Sequence, residues 1–560
     1  MPRSRLLALP LCALVAALGC GPHEGTPARS PAQSTAEPSA SPPRVDLPAG
    51  APALILFLVI DQGSEDQIER WRPLLDGGLG RLLDESAWFT DARQNHAVTE
   101  TSPGHATLAT GREPRSHGII ANDWVDPESG EDVYSVADPD VGRSPRNLRG
   151  DALGDWLHRA VPGSKVFSVS GKDRAAILLG GRHPDGVLWY DRSTGRFVSS
   201  EYYPWGESGP AWLASFYRDH PPTRRFGSLW KPLPEVAARA PALGAASVDL
   251  GAVAASQAFP HALGGLELSP GPAYFADLYR SPFGDAYVAE LAETLIAEED
   301  LGRDRAPDLL AVSFSSLDAV GHRYGPDSLE YADTLARLDR SLGGLLDMVD
   351  RRVGLDRTLV VLSADHGVDP APEVAAGGGG TGRRAGARDA LCFQRVEAGL
   401  ETELGPATWL HPGPFIDRQA VAAHHLELSA VEDDAAKLLE RCPAVARVWT
   451  RDELEGPLSP STPFAELFSN AFDAQRSPDL MIQLQEDVLA ANPPVVATHG
   501  SPYPYDTRVP WLLRGTGIAA HRIATRVSAA DVAPTVAALV GIPVPPGLDG
   551  SDREAALGRK

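Results

Sequence analysis

The chain has 560 residues, with 51 Lys and Arg against 74 Asp and Glu, a formal charge of -23. This length exceeds what one compact core usually holds, so one large domain with insertions, or two domains, is expected. The acidic balance excludes a broad polyanion-binding surface and a nucleic-acid partner, and leaves any anion site to metals or a few basic residues acting locally.

At the amino terminus, "MPRSRLLALPLCALVAALGC" sets Arg3 and Arg5 before an apolar run too short to span a bilayer, which reads as a signal peptide over residues 1–20. Its ending resembles a bacterial lipobox with Cys20 as the lipidated residue, but Ala17 stands where Leu is usual. A lipid anchor at Cys20 and a plain signal peptide both stay open. Either makes the protein exported, periplasmic or held at the outer membrane. Residues 21–50 are rich in Pro, Ser and Ala, with almost no large apolar side chains, and read as a flexible linker.

From residue 51 onward strand-like apolar runs alternate with amphipathic segments, the pattern of an α/β fold around a mostly parallel sheet flanked by helices. "APALILFLVI" predicts a buried strand, followed by helical "SEDQIERWRPLL" and "LGRLLDES". In "TSPGHATLATG" a tight turn at Pro103 and Gly104 is expected to start a helix. "KVFSVS" predicts a strand, and "GVLWYDRSTGRFVSS" a hairpin turning at Ser193, Thr194 and Gly195, in a stretch of about 180 to 270 that reads as an insertion. "SPFGDAYVAELAETLIAEED" has Ser281 as its N-cap and sets Val288, Leu291, Ala292, Leu295 and Ile296 on one helical face. Then come a strand "LLAVSFSS", a long helix around "LEYADTLARLDRSLGGLLDMV" and a strand "TLVVLSADHG". Residues 368–496 break the alternation and read as a cap or insertion between two core segments, 51–367 and 497–560. The alternation returns with "PPVVATHG", "VPWLLRG" and the helix "SAADVAPTVAALVG". Export permits a disulfide between Cys392 and Cys442 in the cap, with two free buried thiols as the alternative.

Polar residues recur where these strands end, and open α/β sheets bind ligands at the carboxyl ends of their strands. Asp61 ends the first strand, Asp318 and His322 follow "LLAVSFSSL", Asp365 and His366 follow "TLVVLSA", and His499 follows "PPVVAT". One Asp or His at a strand end is more often a cap. Three carboxylates and three imidazoles together suit two zinc-like ions with open coordination positions. The four-residue step from Asp318 to His322 puts both on one helical face, and a bend at Gly367 lets Asp365 and His366 serve one site. A hydroxyl beside such metals becomes an attacking alkoxide, and Thr101, at a helix N-terminus that favours anions, is the candidate. The competing use of Thr101 is as an ordinary N-cap.

On these residues the chain resembles the alkaline phosphatase superfamily from about residue 52 to 550, and within it the bacterial phosphate-monoester hydrolases with a threonine nucleophile. The resemblance implies two Zn2+, with Asp61, Thr101, Asp365 and His366 at one and Asp318, His322 and His499 at the other. It also implies that Asn122 in "IIANDW" and Lys172 and Arg174 in "SVSGKDRAAIL" grip the non-bridging phosphoryl oxygens. A phosphate monoester brings two negative charges, which a Lys, a bidentate Arg and an amide donor can meet; a diester brings less charge and a second organic group. Taken alone, "GKDR" reads as a solvated turn. Sulfatase relatives need a Cys or Ser followed by Pro and Arg, which "TSPGH" lacks. His96, His105 and His117 are left as structural supports, because the six ligand positions are filled. The implied activity is hydrolysis of small-molecule phosphate monoesters through a phosphothreonine, with a monomer favoured. The rivals are a phosphodiesterase or nucleotide pyrophosphatase on the same scaffold, and a surface binding lipoprotein without turnover.

Overall fold

A computed structural model describes residues 47–248, 258–491 and 494–558. The predicted signal peptide, Cys20 and most of the linker lie outside the described residues.

The run Leu54–Ile60 is buried at all seven positions and forms β1, in the middle of a ten-stranded sheet. Its side chains alternate: Leu54, Leu56, Leu58 and Ile60 enter one hydrophobic core, while Ile55, Phe57 and Val59 enter another. A strand that is apolar on both faces needs cover on both sides, which places it centrally. The other strands of this sheet are β2 (Ala87–Arg93), β3 (Val166–Ser170), β4 (Gly186–Asp191), β5 (Arg196–Val198), β6 (Asp308–Phe314), β7 (Thr358–Ser363), β8 (Arg508–Arg514), β9 (His521–Ile523) and β10 (Val527–Ser528). Their order is β9-β2-β8-β7-β1-β6-β3-β4-β5, with β10 beside β2. The block β7-β1-β6-β3-β4 is parallel, as the alternating pattern predicts. The sheet as a whole is mixed, because β8 runs antiparallel to both β7 and β2, and β5 closes the predicted hairpin on β4.

Five helices matter for the site: α1 (Thr101–Thr110), α2 (Asp173–Gly180), α3 (Ser316–Tyr324), α4 (Leu329–Arg352) and α5 (Val532–Val540). The 24-residue α4 starts at Ser328, whose side chain accepts from Tyr331 N, and packs Leu335, Leu338, Leu342 and Leu346 into the first core. On the opposite face α5 packs Val532, Val536 and Val540.

Two expectations need correction. The described part of "PPVVATHG", residues 494–500, does not form a strand. Its backbone is satisfied piecemeal: Arg384 donates to the Val495 and Val496 carbonyls, Val496 N donates to His322 O, and Asp369 N donates to Thr498 O. Nor does a tight turn precede the helix at Pro103 and Gly104, since α1 already begins at Thr101. Pro103 falls in the first helical turn, where its missing N–H has no intrahelical partner to lose.

Between β7 and β8 the chain leaves the sheet. The helices Ala387–Leu404 and Leu428–Leu439 and the antiparallel pair Val445–Thr450/Leu480–Leu484 enclose a separate core that includes Val396, Leu400, Trp409, Val431 and Leu480. Cys392 and Cys442 are joined as a disulfide across a sequence separation of 50 residues, tying the first of these helices to the end of the second. This unit rests on the main body through Asn470 Nδ2, which donates to Asn95 O (2.7 Å), and through Arg476 Nη1, which donates to Asn147 O (2.8 Å).

Glu65, just after β1, is buried in the sheet's helical cover and accepts from Trp88 Nε1 at 3.3 Å. Burial pushes its carboxyl up to about 8. Between pH 5 and 8 the folded chain therefore holds a proton that the unfolded chain has lost, so stability falls as pH rises through this window. Glu65→Gln removes this contribution, and the slope of unfolding free energy against pH should flatten by up to about 1.4 kcal/mol per pH unit. Chemical denaturation at pH 5.5 and 8 measures it, and an unchanged slope contradicts the assignment.

Candidate active site

β7, β1, β6 and β3 are neighbours running in one direction, so their carboxyl ends open on one edge. Asp61 follows β1, Asp365 and His366 follow β7, Lys172 and Arg174 follow β3, and α3, after β6, carries Asp318 and His322 one turn apart. His499 arrives from the loop that replaces the predicted strand, rather than from a strand end. Thr101 is the first residue of α1. Gly104 lets α1 come this close: a Cβ there would stand 2.1 Å from the Asp365 carbonyl oxygen.

Lys172 Nζ stands 2.6 Å from Asp61 Oδ2 and 2.7 Å from Asp318 Oδ2, and donates to Thr101 Oγ1 at 3.1 Å. Arg174 Nη2 reaches the same Thr101 oxygen at 3.4 Å, while its Nε has no hydrogen-bond partner among the described residues. Nη2 thus points at the threonine hydroxyl while the buried Nε is left as an unused donor. Asn122 Oδ1 accepts from Ser102 N at 2.9 Å, which fixes the amide so that its Nδ2 donor faces away from this bond.

His366 Nε2 lies 3.3 Å from Asp365 Oδ2 and 3.5 Å from Asp61 Oδ1; His322 Nε2 lies 3.0 Å and His499 Nε2 3.6 Å from Asp318 Oδ1. All three rings make their Nδ1 bond to a backbone carbonyl: Gly367 O at 2.9 Å, Ala497 O at 3.0 Å and Thr99 O at 2.7 Å. A carbonyl only accepts, so Nδ1 carries the hydrogen, and each ring in its neutral form points its Nε2 lone pair at the carboxylates. Lone pairs facing lone pairs repel, and a cation between them turns the arrangement into a ligand set. Both Asp61 oxygens, Asp365 Oδ2 and His366 Nε2 are buried without a hydrogen-bond partner among the described residues; the Lys172–Asp61 approach is an ion pair off the hydrogen-bonding direction. The ligand atoms of Asp61, Asp365 and His366 lie within 4.8 Å of one another, and so do those of Asp318, His366 and His499. These residues fit a metal centre, with His366 common to both groups.

The charges agree. Burial, with Asp365 and Asp318 adjacent, pushes the Asp61 carboxyl well above the usual carboxylate range despite Lys172. Burial acts the same way on Asp318, but His322, Lys172 and His499 outweigh it and hold that carboxyl well below the range, while Asp318 in turn raises His499 against its burial. A metal ion at Asp318 would take the place of the proton that these Nε2 atoms otherwise share with it. Burial lowers His366 to about 3, keeping it neutral and able to ligate.

All ten predicted site residues come together here. Sequence reasoning missed Gln62. It has a left-handed backbone (φ 67°), its N donates to Asp365 Oδ1 at 3.1 Å and its Nε2 donates to Asp318 Oδ1 at 3.0 Å, so it aims two carboxylates at once. Its one sequence signal is adjacency to Asp61. His105 bonds Thr101 O and Ser313 Oγ, His117 bonds Thr107 Oγ1, and His96 bonds Glu113, so all three serve as supports.

Residues 55–502 match the family described as type I phosphodiesterase / nucleotide pyrophosphatase. The chain is 31% identical to alkaline phosphatase PafA of Elizabethkingia meningoseptica over 91% of its own length and 95% of that protein. It is 30% identical to alkaline phosphatase PhoV of Synechococcus elongatus, over 96% and 98%. A crystal structure of PafA superposes with a TM-score of 0.79 at 29% identity, covering 91% of this chain and 99% of that one. Human ectonucleotide pyrophosphatase/phosphodiesterase family member 7 matches at 37% identity over 71 residues, 13% of this chain and 14% of its own. The chain belongs to the type I phosphodiesterase / nucleotide pyrophosphatase family of the alkaline phosphatase superfamily. Within that family it groups with the bacterial alkaline phosphatases, and it is a phosphatase.

Gly104→Ala places a methyl group against the Asp365 backbone and should displace α1 and Thr101 together. The expected result is a loss of kcat of at least about a hundredfold with a folded chain, since a displacement near 1 Å is enough for such a loss. Activity within threefold of the parent contradicts the close-approach reading.

Proposed function

We propose that this phosphatase hydrolyses small-molecule phosphate monoesters by covalent transfer to Thr101, with two zinc ions as cofactors. The observation that carries the reading is the position of Thr101 Oγ1, within 3.1 Å of Lys172 Nζ and 3.4 Å of Arg174 Nη2, beside two convergent ligand clusters. Asp61, Asp365 and His366, with Thr101, would hold one zinc, and Asp318, His322 and His499 the other. Bound zinc supplies Lewis-acid charge that lowers the pKa of a coordinated hydroxyl and offsets charge on a departing oxygen.

The chain's own groups do the rest. Thr101 gives up its proton, its oxygen bonds to phosphorus, and the ester P–O bond breaks to release the alcohol. Water then attacks the phosphothreonine, giving inorganic phosphate and restoring the hydroxyl. Lys172 and Arg174 present two positive charges to the phosphoryl oxygens, and Asn122 adds an amide donor. Two cations match a dianionic monoester better than a singly charged diester, and this supports the monoesterase reading over the diesterase one. The long matches to alkaline phosphatases, against the short match to a diesterase, support it too.

The unit from about 368 to 496 acts as a cap that meets the leaving group, and the protein is exported as a monomer, with Cys20 as the candidate for a lipid anchor. The Cys392–Cys442 disulfide supports export, because such bonds persist in oxidising compartments.

Thr101→Ala should lower kcat for p-nitrophenyl phosphate by roughly a thousandfold or more while leaving the zinc content unchanged. Turnover near that of the parent overturns the nucleophile. Arg174→Ala should lower kcat/KM for p-nitrophenyl phosphate far more than for bis-p-nitrophenyl phosphate, and equal losses favour the diesterase rival.

A further inference from the structure

Thr101 is flanked by two residues that both reach Asn122. Glu100 is the N-cap of α1, a place where Ser, Thr, Asp and Asn are favoured because their short side chains accept from the first helical N–H groups. The Glu100 side chain makes no such bond. Its main chain starts the helix instead, with its O accepting from Gly104 N at 3.0 Å, while its carboxylate leaves the helix and accepts from Asn122 N through Oε2 at 2.6 Å. On the other side of the nucleophile, Ser102 N donates to Asn122 Oδ1 at 2.9 Å.

These two bonds close a ring. It runs along the main chain from Glu100 through Thr101 to Ser102, crosses to the Asn122 amide, passes through that residue to its own N and ends on the Glu100 carboxylate. Asn122 is thereby gripped by main chain and side chain at once, and its Nδ2 donor keeps one station relative to the Thr101 hydroxyl. Either bond alone would leave the residue free to swing about the other. Ser135 N adds a donor to Asn122 O at 2.9 Å, and Ser135 Oγ stands 2.7 Å from Ser102 Oγ, so the ring is braced from the side away from Glu100. The hairpin Asp123–Val125/Asp132–Tyr134, which begins at the residue after Asn122, is held by its own strand pairing and does not depend on Glu100.

We propose that Glu100 is a positioning residue for Asn122: its carboxylate, bonded to Asn122 N, completes the ring that registers the amide donor against the nucleophile. The proposal rests on the reading of Asn122 as a phosphoryl ligand. Glu100→Gln keeps an acceptor of the same reach and so keeps the ring, whereas Glu100→Ala opens it without touching a group that meets the substrate.

The test uses five zinc-loaded chains: the parent, Glu100→Gln, Glu100→Ala, Asn122→Ala and the double variant with Ala at both positions. Glu100→Ala should lower kcat/KM for p-nitrophenyl phosphate roughly tenfold, the scale of one charge-assisted hydrogen bond, and weaken the calorimetric Kd for inorganic phosphate by a similar factor. Glu100→Gln should stay within about threefold of the parent on both readings. In the Asn122→Ala background, Glu100→Ala should cost less than about twofold, because the donor it positions is gone. Metal content should be the same in all five chains. A gain or no loss in Glu100→Ala, an equal loss in Glu100→Gln, or a loss of bound zinc overturns the proposal. If Asn122→Ala is itself without effect on either reading, the phosphoryl-ligand role of Asn122 falls and takes this one with it. If Asn122→Ala is costly and Glu100→Ala costs the same in both backgrounds, Glu100 acts through the start of α1 and only the positioning role falls.

Discussion

Three carboxylates meet in a buried space with one lysine. Asp61 and Asp365 follow adjacent parallel strands and Asp318 lies in the first turn of α3 after the next one, and Lys172 bridges Asp61 and Asp318. Burying a charge without compensation is costly, and Asp61 bears the consequence: its carboxyl is driven well above its ordinary range. The rest of the site is organised around this excess of negative charge. Three imidazoles, each pinned by Nδ1 to a carbonyl, present lone pairs to the same space, which is a stable arrangement once positive charge occupies it. Thr101 stands beside it, within reach of Lys172 and Arg174, where the proposed mechanism places the phosphoryl group.

The sheet makes this concentration affordable. β1 is enclosed on both faces, so the positions of Asp61 and Gln62 are set by two cores rather than by a loop. The same logic fixes α1, which reaches the Asp365 backbone through Gly104, and α4, whose Tyr331 hydroxyl donates to Gln62 O at 3.0 Å. Groups on rigid elements hold a catalytic geometry more tightly than groups on loops. His499 stands on a loop that is not the continuation of a strand, and this loop is secured by the bond to Thr99 O and by Arg384.

Much of this was readable in the chain. The Val, Leu and Ile runs ending in Asp61, Ser313 and Ser363 announced parallel strands, and the Asp318–His322 step announced a helical turn, because both signals are local. The strand proposed before His499 was misread, since "VVAT" has strand propensity but its backbone partners are Arg384, His322 and Asp369, all distant in sequence. Gln62 and Glu100 were invisible for the same reason. Their roles lie in what they touch, across 256 and 303 residues for Gln62 and across 22 for Glu100, and no spacing rule records such contacts. The Cys392–Cys442 pairing, open from sequence, also needed the fold.

The proposal on which the mechanism depends is that this acidic site holds two metal ions. The most direct measurement is metal content by plasma mass spectrometry on the mature chain, dialysed against zinc and then freed of loose ions. Two zinc ions per chain, with loss of both monoesterase activity and thermal stability on chelation, is the predicted result. One ion or none in a chain that still hydrolyses p-nitrophenyl phosphate at full rate would contradict the account.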